Sequence, residues 1–279
     1  MNSKKLFTGV VSLCLAITVI ISACKKNDDD NDDLIKVENT DYSTHNARME
    51  QIMNDAINFT HQSYYAGFLN LKSTGVSAFS CATVTVDTAN KSITIDFGQE
   101  YCLCKDARTR KGKIIRKYSG KFSDTGKNHT ITFEDYYINK YKIDGTITVI
   151  HKGANSNGLP YFQVSSSLSY TNVDNNETTI RSSEGIRTVR NGDFSNDIYD
   201  DTYAIDGSGL LTIPNSAKYN YSIEQSININ PNCDWPLQGI VEFRQVENGQ
   251  ARLFDYGTIG CDNKATLRVE GEIKAITLD

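Results

Sequence analysis

Proline, methionine and tryptophan are scarce in this chain. Of 279 residues four are proline, three methionine and one, Trp235, tryptophan. So little proline excludes a Pro-rich stalk. A positive balance is missing as well. The net charge is −5, which removes the electrostatic motive for binding nucleic acid. Familiar catalytic spacings are absent. The four histidines, His45, His61, His129 and His151, form neither an i,i+4 pair nor an HExxH run, and each reads as a surface or strand residue. No serine sits in a Gly-x-Ser-x-Gly elbow; Asp206-Gly-Ser208-Gly209 reads as a turn. Cys102-Leu-Cys104 lacks the two further Cys or His ligands that zinc requires. No metal site and no cofactor is therefore expected.

What is present begins at the N-terminus. Lys4 and Lys5 precede an apolar run from Leu6 to Ile21, too short to span a bilayer comfortably. Ser22-Ala23-Cys24 follows, and then an acidic, Asn-rich stretch to about residue 40. A basic start, a short apolar core and small residues before a cut make a secretory signal over 1–23. The cysteine directly after the small residues resembles the lipobox of bacterial lipoproteins. That resemblance implies cleavage before Cys24, acylation of Cys24, and a membrane partner reached through the lipid. Removing 1–23 takes Lys4 and Lys5 away and leaves 256 residues at −7. The stretch 24–42 reads as a lipidated cysteine and a solvated tether, since such a run buries no apolar surface. Lysines followed by acidic residues after the cysteine also resemble the surface-export signal of Bacteroidota lipoproteins. The expected address is the outer membrane, lipid-anchored, at the cell surface.

Residues 43–66 read as the one helix. Met49, Ile52, Met53, Ala56 and Ile57 recur at helical spacing over 44–58 and form an apolar stripe, with Ser43 or Thr44 as the cap. From 67 to 279 the pattern is short alternating segments rich in Thr, Ile, Val and Tyr, broken by turns such as Asn155-Ser-Asn-Gly158 and Asn248-Gly249. About a dozen strands with regular turns give an all-β body of antiparallel sheets, either a sandwich or a rolled meander.

An internal repeat runs through this body. Asp96-Phe97-Gly98, three residues, Cys102, nine residues and Gly112 match Asp255-Tyr256-Gly257, three residues, Cys261, nine residues and Gly271 at an offset of 159. Two related halves dividing near 155–200 are the expectation. The hairpin turn at Asn248-Gly249 brings the region of Cys233 opposite Cys261. The turn near Ala89 brings Cys81 within a loop's reach of Cys102 or Cys104. Export permits disulfides, and an odd count of five leaves one thiol.

Several phrases together resemble an uncharacterised family of Bacteroidota lipoproteins. They are Ile93-Thr-Ile-Asp-Phe-Gly98 leading to Cys102, Arg108-Thr-Arg-Lys-Gly-Lys-Ile114, Phe133-Glu-Asp-Tyr-Tyr137, Asp255-Tyr-Gly257 and Gly260-Cys-Asp-Asn-Lys-Ala265. The resemblance implies location and fold class; it brings no activity.

The remaining clusters read plainly. Asp197, Asp200 and Asp201 beside Tyr199 and Tyr203 form an acidic loop without a catalytic role. Arg108, Arg110, Arg181, Arg187 and Arg190 are expected to face solvent and pair with acids. Trp235 is expected to pack on the Cys233 disulfide. Asp87-Thr88-Ala89 at a hairpin tip resembles the Bacteroidota O-glycosylation acceptor, making Thr88 a candidate. The leading function is a non-enzymatic binding or structural module with a glycan or protein ligand; the alternative is a secreted hydrolase acting on glycans or peptides. Tyr136, Tyr137 and Tyr141 are the ligand-binding candidates, with alternation sending Tyr136 and Tyr137 to opposite faces.

Overall fold

The computed structural model describes residues 41–68, 81–104, 106–192, 200–258 and 260–278. The signal, Cys24 and the tether up to residue 40 lie outside these residues; Asp41 and Tyr42, expected to end the tether, instead open the helix, and Tyr42 is buried. Among the described residues one α-helix, α1 (Asp41–Phe68), is followed by fourteen strands, with a 3-10 turn at Pro214–Ser216. Ser43 and Thr44 lie inside α1 rather than at its cap. The strands are β1 (Thr83–Asp87), β2 (Ser92–Asp96), β3 (Cys102–Leu103), β4 (Thr109–Tyr118), β5 (Asn128–Ile138), β6 (Tyr141–Ala154) and β7 (Pro160–Asn172). They continue as β8 (Thr178–Asn191), β9 (Thr202–Thr212), β10 (Lys218–Ile229), β11 (Gln238–Gln245), β12 (Ala251–Asp255), β13 (Lys264–Val269) and β14 (Glu272–Thr277).

All strands join one antiparallel sheet whose spatial order follows chain order, except that the two-residue β3 pairs beside the path with β4. The expected all-β body of antiparallel strands with one N-terminal helix is what the structure has, in a single continuous sheet. The sheet has two ends, β1 and β14, and is not closed. Between β8 and β9 the two backbones approach closely at a pair of glycines. Gly185 and Gly207 pair directly across β8 and β9. A Cβ on Gly185 would run into the Asp206 carbonyl oxygen, and one on Gly207 into that of Glu184. Only glycine allows that approach.

The sheet wraps α1. Side chains touching the helix come from β1 and β2 at one end through β7, β8, β10 and β11. The apolar stripe Met49, Ile52, Met53, Ala56 and Ile57 is buried as expected. The neighbouring stripe, Asn46, Glu50, Asn54, Asn58 and Gln62 at strict four-residue spacing, is buried too. A polar stripe survives burial only with partners, and the inner face of the sheet supplies arginine. Arg181 donates from Nη2 to Glu50 Oε2 and from Nε to the Tyr221 hydroxyl at 2.7 Å. Arg187 donates to Asn54 Oδ1 at 3.0 Å and to Asn58 Oδ1, with its guanidinium 3.4 Å above the Tyr203 ring centre. Arg116 donates to the Thr60 carbonyl at 2.7 Å and to His129 Nδ1. Arg110 makes two 2.9 Å bonds to the Asp55 carboxylate and two, of 2.6 and 2.8 Å, to Asp106.

The expectation that these arginines face solvent is therefore corrected for Arg110, Arg181 and Arg187, all buried; Arg190 is exposed. Arg108 is largely covered and reaches Asp234 at 2.8 Å. Alternation tells which strand residues share a face. It does not tell that the covered face meets a polar helix stripe.

The repeat appears in local geometry. Gly98 and Gly257 have φ of 86° and 84°, and each donates its N–H to the aspartate two residues back, Asp96 or Asp255, at 2.8 Å. The later glycines differ: Gly112 lies within β4, whereas Gly271 forms the β13–β14 turn. Cys81–Cys102 and Cys233–Cys261 are disulfide-bonded, with Cα atoms 6.0 and 5.2 Å apart. Cys104 is the remaining thiol, buried, with Sγ 3.2 Å from Cys81 Sγ.

Candidate functional site

The interior is filled by α1 and the strand arginines, and two of the spaces left between helix and sheet measure only about 20 Å³. Larger spaces lie elsewhere. One line of α1 stays partly open: Asp41, Thr44, His45, Arg48, Gln51 and Asp55, at helical spacing. Its first half borders a cavity of about 280 Å³.

Four elements build this cavity. The helix supplies Asp41, Thr44, His45 and Arg48. The β5–β6 turn and the start of β6 supply Lys140 and Tyr141. The end of β7 and the turn after it supply Tyr170, Asn172 and Glu177, and β14 supplies Thr277. The Arg48 guanidinium lies 4.8 Å over the Tyr141 ring and 5.5 Å over the Trp235 ring. Tyr141 also meets Tyr170 edge-on at 4.9 Å. These contacts hold both a cation and an aromatic wall in place.

His45 Nδ1 bonds to the Tyr170 hydroxyl and, at 2.9 Å, to Thr179 Oγ1. Burial pulls the His45 pKa below its ordinary value, with Asp41 opposing and Arg48 assisting, so the imidazole stays neutral. Burial likewise raises the Tyr170 phenol, which stays protonated. Thr179 pairs with a histidine, as an activated nucleophile would. It is nevertheless fully buried, so no substrate reaches its hydroxyl. The accessible groups are hydrogen-bond donors and acceptors of both charges beside a tyrosine wall.

The tyrosine candidates separate as alternation requires. Tyr136 is core, 1% exposed, against Phe97 and Phe133. Tyr137 faces outward, meets Tyr101 edge-on at 6.2 Å, and shares Lys111, whose Nζ is 4.5 Å from its ring centre. Tyr141 turns inward to the cavity. Tyr136 is corrected from ligand candidate to core residue, and Tyr137 and Tyr141 do not share a surface. Trp235 is partly buried under Arg48. Thr88 sits exposed on the β1–β2 turn, where Asn90 bonds back to Asp87.

Asp197 and Tyr199 lie outside the described residues. Asp200 is exposed, whereas Asp201 is buried and accepts from the Tyr203 hydroxyl. His129 and His151 are strand residues, in β5 and β6, and His61 lies on α1; all three are buried, packed on Phe122 and Phe162. Among the described residues no three His, Cys, Asp or Glu side chains are placed to hold a metal ion.

Sequence reasoning found Tyr141 but not His45, Arg48, Asn172 or Glu177. The spacing Asp41, Thr44, His45, Arg48 marks a polar helix line, yet nothing in it says which strand ends border it. Compared with protein-family models, curated proteins and solved structures, the chain matches none.

Proposed function

We propose that this protein is a lipid-anchored binding module at the outer-membrane surface, and that its ligand is a small polar molecule of the glycan class. The observation that carries the reading is the 280 Å³ cavity itself. It is large enough for a sugar unit and offers Thr44, Asn172 and Thr277 for neutral hydroxyls. Asp41 and Glu177 are there to accept, Lys140 to donate, and Tyr141 to provide an apolar wall. Polyols match that mixture, since every ring hydroxyl both donates and accepts. The anchor rests on the lipobox-like Ser22-Ala23-Cys24 and the acidic tether.

The test is a glycan screen on the full-length protein in detergent, followed by titration calorimetry with any ligand found. Asn172→Ala and Glu177→Gln, both at turn or strand ends, should each weaken binding about tenfold. Tyr137→Ala, on the outer face, should leave it unchanged. Binding lost with Tyr137→Ala but not with the cavity variants would move the site to the outer Tyr101–Tyr137–Lys111 patch. Turnover of a bound glycan or peptide, abolished by removing a carboxylate, would replace the binding module with the hydrolase.

A further inference from the structure

β14 ends the sheet. Its one strand neighbour among the described residues is β13, in the register Lys264↔Thr277 through Val269↔Glu272. Leu278 N–H donates to the Asn263 carbonyl at 2.8 Å, which fixes the phase of the ladder. By alternation Glu272, Lys274 and Ile276 turn their backbone groups toward β13, and Ile273, Ala275 and Thr277 turn theirs outward. Glu272, Ile273, Lys274 and Ala275 are all exposed, and Ile273 at 62% is among the most exposed large apolar side chains described. An edge with free N–H and C=O groups and an exposed isoleucine is a template for another strand.

Glu272 and Lys274 are two residues apart and so lie on one face, with Ile273 on the other. We propose that two copies of this protein associate through β14, paired antiparallel with β14 of the second copy about a two-fold axis at Ile273. In that register Ile273 meets Ile273 of the second copy. Glu272 meets Lys274 of the second copy, and symmetry repeats the ion pair. The outward-pointing backbone groups of Ile273 bond to those of its counterpart, as an antiparallel ladder requires.

Charge selects this register over its neighbours. A slip of two residues one way sets Lys274 opposite itself, and a slip the other way sets Glu272 opposite itself; like charges directly opposed destabilise a pair. A further slip past Lys274 puts Lys274 opposite Ile276 and Glu272 opposite Leu278, with no ion pair left. A lone edge lysine deters pairing; with Glu272 on the same face it becomes half of a self-complementary lock. The contact is isologous and closes at two copies, so it does not grow into fibres. Its short length places it among weak interfaces.

Charge reversal tests the idea, read by sedimentation of the full chain in detergent over a wide concentration range, with circular dichroism to confirm folding. The wild type should show a concentration-dependent monomer–dimer equilibrium. Lys274→Glu alone, and Glu272→Lys alone, should each weaken the dimer about tenfold. Mixing those two variants should restore association, because each supplies the charges the other lacks. Separately, Ile273→Cys should cross-link into dimers on mild oxidation, its Cα atoms lying near the ~5.5 Å of a hydrogen-bonded pair. Arg268→Cys on β13, which faces the same way one strand back, should not. A protein monomeric at every concentration, a dimer indifferent to charge reversal, or cross-linking equal at both positions would each overturn the proposal. The sedimentation readout contains no glycan, so it fails or succeeds independently of the cavity.

Discussion

Glu50 on α1 and Arg181 on β8 form an ion pair in which neither side chain exceeds 2% exposure. The pair is part of a network: Asn54 Nδ2 donates to Glu50 Oε1 at 2.9 Å, and Tyr221 accepts from Arg181. Burial opposes the charge on Arg181, but Glu50 more than compensates, and the guanidinium pKa is raised.

Breaking that pair from one side should cost much more than removing both charges. Glu50→Gln leaves Arg181 buried without its counter-charge, and a loss of about 3–5 kcal/mol in unfolding free energy is expected. Glu50→Leu with Arg181→Met removes both charges and should recover most of it. Urea unfolding of the three proteins decides. A single-variant loss below about 1 kcal/mol would mean that the helix is not held by this pair.

The two disulfides close loops of 21 and 28 residues in sequence separation. Cys233→Ser with Cys261→Ser should destabilise the protein by about 3–4 kcal/mol. Burial pushes the Cys104 thiol above its ordinary pKa, with Arg110 opposing, so it should react slowly with iodoacetamide in the native state. Peptide mapping without reductant should recover Cys81–Cys102 and Cys233–Cys261, with Cys104 labelled only after unfolding.

Much of the fold was legible in residue pattern. Thirteen of the fourteen strands coincide with alternating runs; the exception, Cys102–Leu103, is too short to show a period. Hairpin turns pointed to Cys233–Cys261, but left Cys102 and Cys104 as alternatives for Cys81; the structure pairs Cys81 with Cys102. What stayed hidden was enclosure. Asn46, Glu50, Asn54 and Asn58 look like a solvated helix face, and Arg110, Arg181 and Arg187 look like solvated strand residues. Glu50 is buried against Arg181, and Asn54 and Asn58 against Arg187; Arg110 is buried against Asp55 and Asp106. Pairing between residues more than a hundred positions apart has no periodic signature in either segment. The cavity was hidden for the same reason: its walls come from helix, two strand ends and β14, brought together only when the sheet curls.

Cys24 and the residues before it define the expected anchor. Cys24→Ala should release the protein from the membrane or leave an unprocessed precursor, because stable anchoring depends on the attached acyl chains. Fractionation and intact mass of the variant are the measurements. Unchanged membrane association together with unchanged mass would exclude lipidation at this residue.

Acid should loosen the far end of the helix before its carboxylates are touched. His61 on α1 and His129 on β5 both have pKa values near 3, first because they are buried and second because Arg116 stands beside them. Arg187 and His129 add to the effect on His61, and His151 to that on His129. In the unfolded chain each returns to about 6.5. Between pH 6.5 and 3 the unfolded state therefore binds more protons than the folded one, and stability rises with pH across that window. Each histidine steepens the slope by up to ~1.4 kcal/mol per pH unit. The urea midpoint should fall from pH 6 to pH 4.5, a range above the ordinary carboxylate pKa of about 4. His129→Gln keeps an acceptor for Arg116 but does not titrate, and it should flatten that slope, leaving the contributions of His61 and His45, while leaving stability near pH 7.5 less affected. Equal slopes for the variant and the wild type between pH 4.5 and 6 would show that His129 is protonated in the folded protein and that Arg116 does not hold it neutral.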